Sequence, residues 1–528
     1  MKIKSIIPNL KLLKWFLQKL FYFYFIFGRA SSKKFIKKNF NKKNIAIFAC
    51  NPWGYLTPFE ILLFKYYQLL GINISYFIYD QNIPINELNR ADLKLSRKYE
   101  LAMLRKLGFI GKSFLSIAGI NYKEINFRDH QDIQNINSLF ELKNYKYKSI
   151  AVGSHAIEST YRYFKSYNLK EESLLIAKLY LKLACSNIDY FIKTNMHSCF
   201  SEVFISHGIY ASWGPIAEYC KKNNIKYIAY DRGKENNTFT LCLNKPAPEV
   251  DIQKAWIRFK NKNLDQSQEN YVSTLLKSRE THSNDIFQYN TSEKTLAKSE
   301  LNKIKTNLGL DLNKKTICFY SNLIWDAANT SRNLFFRDFQ ECIEETINKL
   351  SNNNSVQFLL RPHPAEYVLG SNEKYVNLLS ELILQKKLFV ANMEINSFDV
   401  INLSDLDIVN TSTIGIEAAA YGKPVFVVSE THFKDKGFTY DCENKESFFD
   451  KVEYVLAHGI HNKKDVIENS RKYLYLMMNK YQIKSPLNYE KNKFIKYKFE
   501  KFETIYNSKF AKVLDHIITE DAEDAVMV

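Results

Sequence analysis

Aspartate and glutamate are absent from residues 1–59, while residues 1–44 hold twelve of the 74 lysines and arginines. Two-thirds of the net charge of +18 therefore sits in one N-terminal arm, and the rest of the chain is only mildly basic. With no RNA- or DNA-binding module visible, that distribution argues against a nucleic-acid partner. The eight cysteines (50, 185, 199, 220, 242, 318, 342 and 442) include no C-x-x-C pair. This argues against a zinc site and a disulfide framework, and fits a reducing cytoplasm. The arm also lacks an apolar run of bilayer length: its uncharged aromatic stretch, 20–28, is nine residues where a span needs about 20. Lys19 before bulky aromatics, with no small-residue cleavage site after them, makes a poor signal peptide. Asp405-Leu-Asp407 has a metal-binding spacing, but it precedes a hydroxyl-rich turn and Asp407 starts a strand, so no metal is expected and no cofactor either. No internal repeat is present beyond two similar halves.

What is present divides the 528 residues into two domains with appended parts. In the arm, residues 1–43, Leu10, Leu13, Leu17, Leu20, Tyr24 and Phe27 recur at three- and four-residue spacing, with Lys11, Lys14 and Gln18 on another face. This predicts an amphipathic helix on an anionic membrane surface, or else one packed on its own domain. Residues 44–259 read as an N-terminal Rossmann-like domain: strands at 44–50, 73–79, 202–205 and 225–230, helices at 59–70 and 213–223, and a mainly helical stretch at 85–200. The polar segment 260–314 reads as the linker. Residues 315–480 form a second Rossmann-like domain, with strands at 316–320 and 356–360, a helix at 333–350 and helical character over 445–480. Residues 481–518 predict a helix returning to the first domain, and 519–528 a disordered acidic tail.

The chain is organised around residues 358–428. An apolar strand ends at Arg361-Pro-His-Pro364. Further on, Asn410-Thr-Ser-Thr-Ile-Gly-Ile-Glu417 is a hydroxyl-rich turn opening into a small-residue helix that stops at Gly422, before a strand at Pro424-Val-Phe-Val-Val. Polar groups at the carboxyl ends of two strands mark where an open α/β sheet binds its ligand. A Ser/Thr turn at a helix N-terminus is a seat for an anion, because free N–H groups and the helix dipole point at it. Taken singly, Arg-Pro-His-Pro is also an ordinary rigid turn and Thr-Ser-Thr an ordinary N-cap. Polar residues also end two N-terminal strands, at Ser206-His207-Gly208 and Asp231-Arg-Gly233.

Two Rossmann-like halves with a phosphate-type site in the second resemble the GT-B glycosyltransferases. Arg361-Pro-His-Pro364 resembles the HP motif of bacterial capsule sialyl- and Kdo-transferases. Asn410-Thr-Ser-Thr-x-Gly-x-Glu-Ala with Gly422-Lys-Pro-Val425 is similar to the Ser/Thr motif of the capsule polysaccharide biosynthesis family, and Lys436-Gly-Phe-Thr439 resembles its Gly-x-Thr. The likeness covers about 360–440. Asp231-x-Gly233 resembles the acidic motif of these enzymes, with Arg232 and Lys234 replacing the expected neighbours. The resemblance implies two domains facing a cleft and a metal-independent transfer of a sugar, with CMP-Kdo or a related CMP-sugar first, to a glycolipid or polysaccharide acceptor. The enzyme would be cytoplasmic and peripheral on the inner membrane face. Arg361, His363, Ser412, Thr413 and Glu417 would hold the nucleotide sugar, Glu417 through the ribose. Asp231, or else His207, would be the base. Glu417 is equally a stabilising first-turn acid, and Asp231 and His207 equally turn residues. A UDP-sugar transferase, a CDP-glycerol-type polyol-phosphate transferase and a sugar-nucleotide epimerase share parts of the pattern.

Overall fold

The structure, a computed structural model, describes residues 43–51, 56–80, 82–235, 238–281, 298–327, 329–330, 332–486, 508–519 and 522–526. The amphipathic helix expected of the arm lies outside these residues. Among the described residues no helix is long and apolar enough to cross a membrane.

Two α/β domains face each other across a cleft, the GT-B arrangement. The N-terminal sheet contains β1 (Asn44–Cys50), β2 (Asn73–Tyr79), β3 (Tyr122–Ile125), β4 (Glu202–Ser206), β5 (Lys226–Arg232) and β6 (Thr238–Leu243). It takes one strand from the far end of the chain, β13 (Ile483–Lys484), in the order β13-β6-β5-β4-β1-β2-β3. The five strands from β5 to β3 are parallel, and β6 and β13 add antiparallel. The C-terminal sheet is all parallel: β7 (Lys315–Tyr320), β8 (Val356–Arg361), β9 (Phe389–Val390), β10 (Leu406–Val409), β11 (Val425–Val427) and β12 (Tyr440–Asp441), in the order β12-β11-β10-β7-β8-β9. Helices cover both faces, so the central strands are continuous apolar runs; β1 is buried from Ile45 to Cys50 and β10 throughout. In each sheet the winding direction reverses beside the first strand, between β1 and β4 and between β7 and β10. The crevices at those reversals open into the cleft.

The small-residue helix Ile414–Ala420 shows how sequence sets local form. Gly422 has φ +74°, and the bonds Gly422 N–H to Ala419 O (2.9 Å) and Lys423 N–H to Ala418 O (3.1 Å) close a Schellman turn. A Cβ on Gly422 would meet only side-chain ends of the helix Lys463–Tyr475, Lys463 Cε at 2.5 Å and Ile467 Cδ1 at 3.0 Å, so the positive φ is the main reason for glycine here. The helix expected at 333–350 begins later, at Phe339, because Asp338 caps it by accepting from Glu341 N–H. The tail also departs from expectation: Asp524 is 2 % exposed and its carboxylate pairs with Arg258 at 3.0 Å.

The domains are joined on one side by the helices Gln266–Glu280 and Lys463–Tyr475, where Arg471 pairs with Glu269 at 2.6 Å. On the β2 and β8 side they meet through a smaller contact. Lys165, 3 % exposed, donates to Asp92 at 2.8 Å and to the Leu369 carbonyl, and Glu373 accepts from Tyr167 N–H at 2.8 Å.

Candidate active site

A cavity of about 580 Å³ occupies the cleft and is lined by both domains. All seven residues singled out from the sequence border it: His207 and Asp231 from the N-terminal domain, and Arg361, His363, Ser412, Thr413 and Glu417 from the C-terminal domain. Its volume lies in the range of small-molecule sites, about 300–1,000 Å³.

On the N-terminal wall, His207 follows β4 in the left-handed region (φ +58°), with Gly208 after it at φ +85°. That conformation costs a non-glycine residue roughly 1–2 kcal/mol. It is held here by His207 N–H to Tyr230 O (3.0 Å) and Ala247 N–H to His207 O (2.9 Å). The ring lies against Tyr210, with centroids 4.9 Å apart, and Nε2 is 3.9 Å from Asp231 Oδ2. Burial lowers the His207 pKa against the opposing pull of Asp231, so the ring is neutral near pH 7. Asp231 was expected at a turn after its strand. It lies within β5 instead, opposite Thr240 of β6, because the antiparallel hairpin extends the strand to Arg232. Its Oδ1 accepts from Arg232 N–H at 2.7 Å, and its side chain is 37 % exposed, open to the cleft.

On the C-terminal wall, His363 Nδ1 accepts from Ala365 N–H at 3.1 Å, while His363 N–H donates to Ser321 Oγ at 3.0 Å. The first bond puts the ring proton on Nε2, and burial lowers the pKa to about 4, so His363 is a neutral donor. Arg361 is 2 % exposed. It donates to the carbonyls of Ala391 (3.4 Å) and Asn392 and to Ser397 Oγ (3.4 Å), bracing the loop beneath the cavity. Thr411 is engaged with Asn322 (3.0 Å) and Asn329. Ser412 and Thr413 are half-buried and border the cavity. The helix after them is two turns long, and its N–H groups at Gly415 and Ile416 bond back to Ser412 O (3.1 Å) and Thr413 O (3.0 Å). The helix terminus is thus a poorer anion seat than the sequence suggested, and the hydroxyls are the better donors. Glu417 accepts from Arg279 Nε at 2.8 Å, tying this wall to the linker helix. Asp405 accepts from Thr316 N–H at 2.8 Å and Asp407 is buried within β10, so the Asp-Leu-Asp pair faces no common site.

Sequence reasoning missed Lys234, Arg279, Asn322, Asp326, Arg332 and His432, which also line the cavity. They come from loops and from the linker helix, where no periodicity marks a functional position. His432 lies one residue beyond Thr431, in the loop whose Lys436-Gly-Phe-Thr439 segment alone carried a resemblance.

No family model matches the chain, and no curated protein matches it. Among solved structures, the β-Kdo 2,4 transferase KpsC of Thermosulfurimonas dismutans is similar at 12% identity with a TM-score of 0.35, covering 51% of this chain and 79% of that one. The β-Kdo 2,7 transferase KpsC of the same organism is similar at 11% identity and TM-score 0.33, over 53% and 80%. A glycosyltransferase from Rickettsia africae ESF-5 is similar at 12% identity and TM-score 0.29, over 83% of this chain and 94% of that one.

Proposed function

We propose that the chain is a metal-independent GT-B glycosyltransferase. It moves a sugar from a nucleotide donor, CMP-Kdo or a related CMP-sugar, to a lipid-linked or polysaccharide acceptor during assembly of a capsule or surface polysaccharide. One observation carries this reading: the Arg-Pro-His-Pro and Thr-Ser-Thr segments, far apart in sequence, border a single cavity with an open carboxylate, Asp231, on its opposite wall.

In the proposed reaction the acceptor hydroxyl attacks the anomeric carbon, the bond from that carbon to the donor phosphate breaks, and the hydroxyl proton passes to Asp231. His363 Nε2–H and the hydroxyls of Ser412 and Thr413 meet the charge that develops on the departing phosphate. Arg361 adds positive charge from below while its N–H groups hold the 391–397 loop. Arg279 keeps Glu417 oriented beside the nucleotide pocket. The composition of the basic arm supports a place on the inner face of an anionic membrane, where a lipid-linked acceptor resides.

The test is a thermal-shift series on the full chain with CMP, CDP, UDP and GDP at millimolar concentration, since a ligand stabilises the state that binds it. A rise with CMP that is lost in His363→Ala supports the CMP-sugar reading. A rise with UDP or CDP alone moves the assignment to a UDP-sugar or polyol-phosphate transferase. No rise with any nucleotide removes the support for a nucleotide site.

A further inference from the structure

Among the cleft residues that the proposed reaction leaves unused, His432 is the most tightly defined. It follows β11 at the carboxyl end of the sheet and borders the cavity. Its ring stacks on Tyr473, with centroids 5.9 Å apart and planes 16° apart, and meets Phe433 edge-on at 5.2 Å. Tyr473 is fully buried, so this clamp is part of the core and the ring has one orientation.

The hydrogen bonds decide the tautomer. The Tyr473 hydroxyl has a single proton and lies 2.7 Å from the His432 carbonyl, which can only accept. The same hydroxyl oxygen lies 2.8 Å from His432 Nδ1. With its proton committed to the carbonyl, the hydroxyl must accept from Nδ1–H. The lone pair of the neutral ring is then on Nε2. Burial holds the His432 pKa well below its ordinary value, and Lys234, Lys436 and Arg332 add to the effect, so the ring stays neutral. A nitrogen that resists protonation is a weak proton store, and it is a steady hydrogen-bond acceptor.

The known features of the site supply mostly donors: His363 Nε2–H, the hydroxyls of Ser412 and Thr413, and the cations Lys234 and Arg332. Such a set grips an anion; the other acceptors of the lining, Asp231, Asp326 and Glu417, are acidic side chains, Glu417 already paired with Arg279, and His432 adds a neutral one. We propose that His432 Nε2 accepts a hydrogen bond from a hydroxyl of the bound nucleotide sugar, making His432 a specificity-determining residue and Tyr473 the positioning residue that sets its tautomer. The proposal rests on the nucleotide-sugar reading for the identity of the ligand, and on the Tyr473 geometry for the acceptor.

The two parts separate experimentally in full-length protein labelled with ¹⁵N-histidine, with the His432 signal assigned by its loss in His432→Ala. In the free protein the expected spectrum shows protonated Nδ1 and unprotonated Nε2, and Tyr473→Phe restores a mixture of tautomers. Protonated Nε2 in the wild type overturns the proposal whatever the ligand. CMP and CMP-N-acetylneuraminate are then added. An upfield move of Nε2 with CMP places the contact at a ribose hydroxyl, and a move with the CMP-sugar alone places it on the transferred sugar. Either goes with about a tenfold weaker Kd for that ligand in His432→Ala, the loss of one buried hydrogen bond. Tyr473→Phe should weaken binding less, for both ligands if the contact is to the ribose they share and for the CMP-sugar alone if it is to the transferred sugar. If both ligands bind and Nε2 stays still, with Kd unchanged in His432→Ala, the acceptor role is wrong. If neither ligand binds the wild type, the ligand named here falls with the nucleotide-sugar reading, while the tautomer result still stands or fails by itself.

Discussion

The two walls of the cleft are built on different principles. On the C-terminal wall the turns that carry the polar groups are shaped by bonds close in sequence: Ala365 N–H to His363 Nδ1, Gly415 and Ile416 N–H to Ser412 and Thr413, and the Gly422 stop by Ala418 and Ala419, while Arg361 and Glu417 are braced from further away. On the N-terminal wall the aim of each group depends on distant strands. His207 is held by Tyr230 and Ala247, and Asp231 by the pairing of β5 with β6. Locally held groups form a motif that recurs as a string of letters. Groups aimed by strand pairing leave only an isolated letter, and many sequences satisfy the same pairing.

If the N-terminal wall performs the chemistry and the C-terminal wall the binding, variants should split cleanly. The largest effect is expected from Asp231→Ala, which should lower the transfer rate by about 10²–10⁴-fold, the range for loss of a general base, with nucleotide Kd unchanged. Transfer near the wild-type rate would remove the chemical role of that wall. His363→Ala should do the opposite, weakening nucleotide binding about tenfold, the worth of one hydrogen bond in a buried site. Unchanged affinity by calorimetry would break the division from the other side.

Two further substitutions sharpen the comparison through stability. Glu366 supports the C-terminal wall through Ser321, is 1 % exposed, and has its pKa raised by burial to about 8. An acid raised on folding is protonated in the native protein while the unfolded chain is ionised. Its cost is therefore absent below the unfolded value of about 4.3 and grows as pH rises to about 8. Glu366→Gln should raise Tm by ~2 °C at pH 8 and leave it unchanged near pH 4. An equal change at both pH values would mean that charge is not the cause. The smallest effects should distinguish adjacent hydroxyls. Ser412→Ala should weaken nucleotide binding about threefold at constant Tm, whereas Thr411→Val, which loses the Asn322 and Asn329 bonds, should lower Tm with little change in binding. Loss of binding in Thr411→Val and its retention in Ser412→Ala would reverse the assignment.

The sequence alone determined the two Rossmann-like halves, because strands buried on both faces must be unbroken apolar runs and their helices must be capped. The strands at 44–50 and 73–79 coincide with β1 and β2. The Arg-Pro-His-Pro and Thr-Ser-Thr turns were legible too, because bonds spanning a few residues shape them, such as Ala365 N–H to His363 Nδ1 and Gly415 N–H to Ser412 O. The antiparallel β6 went unread because its pairing is a property of the sheet. Only the tertiary structure decided that Arg361 turns down to brace a loop, that Glu417 is paired with Arg279 of the linker helix, and that Tyr473 fixes which nitrogen of His432 carries the proton. Each of these is a choice among partners brought close by folding, and separation along the chain carries no record of it.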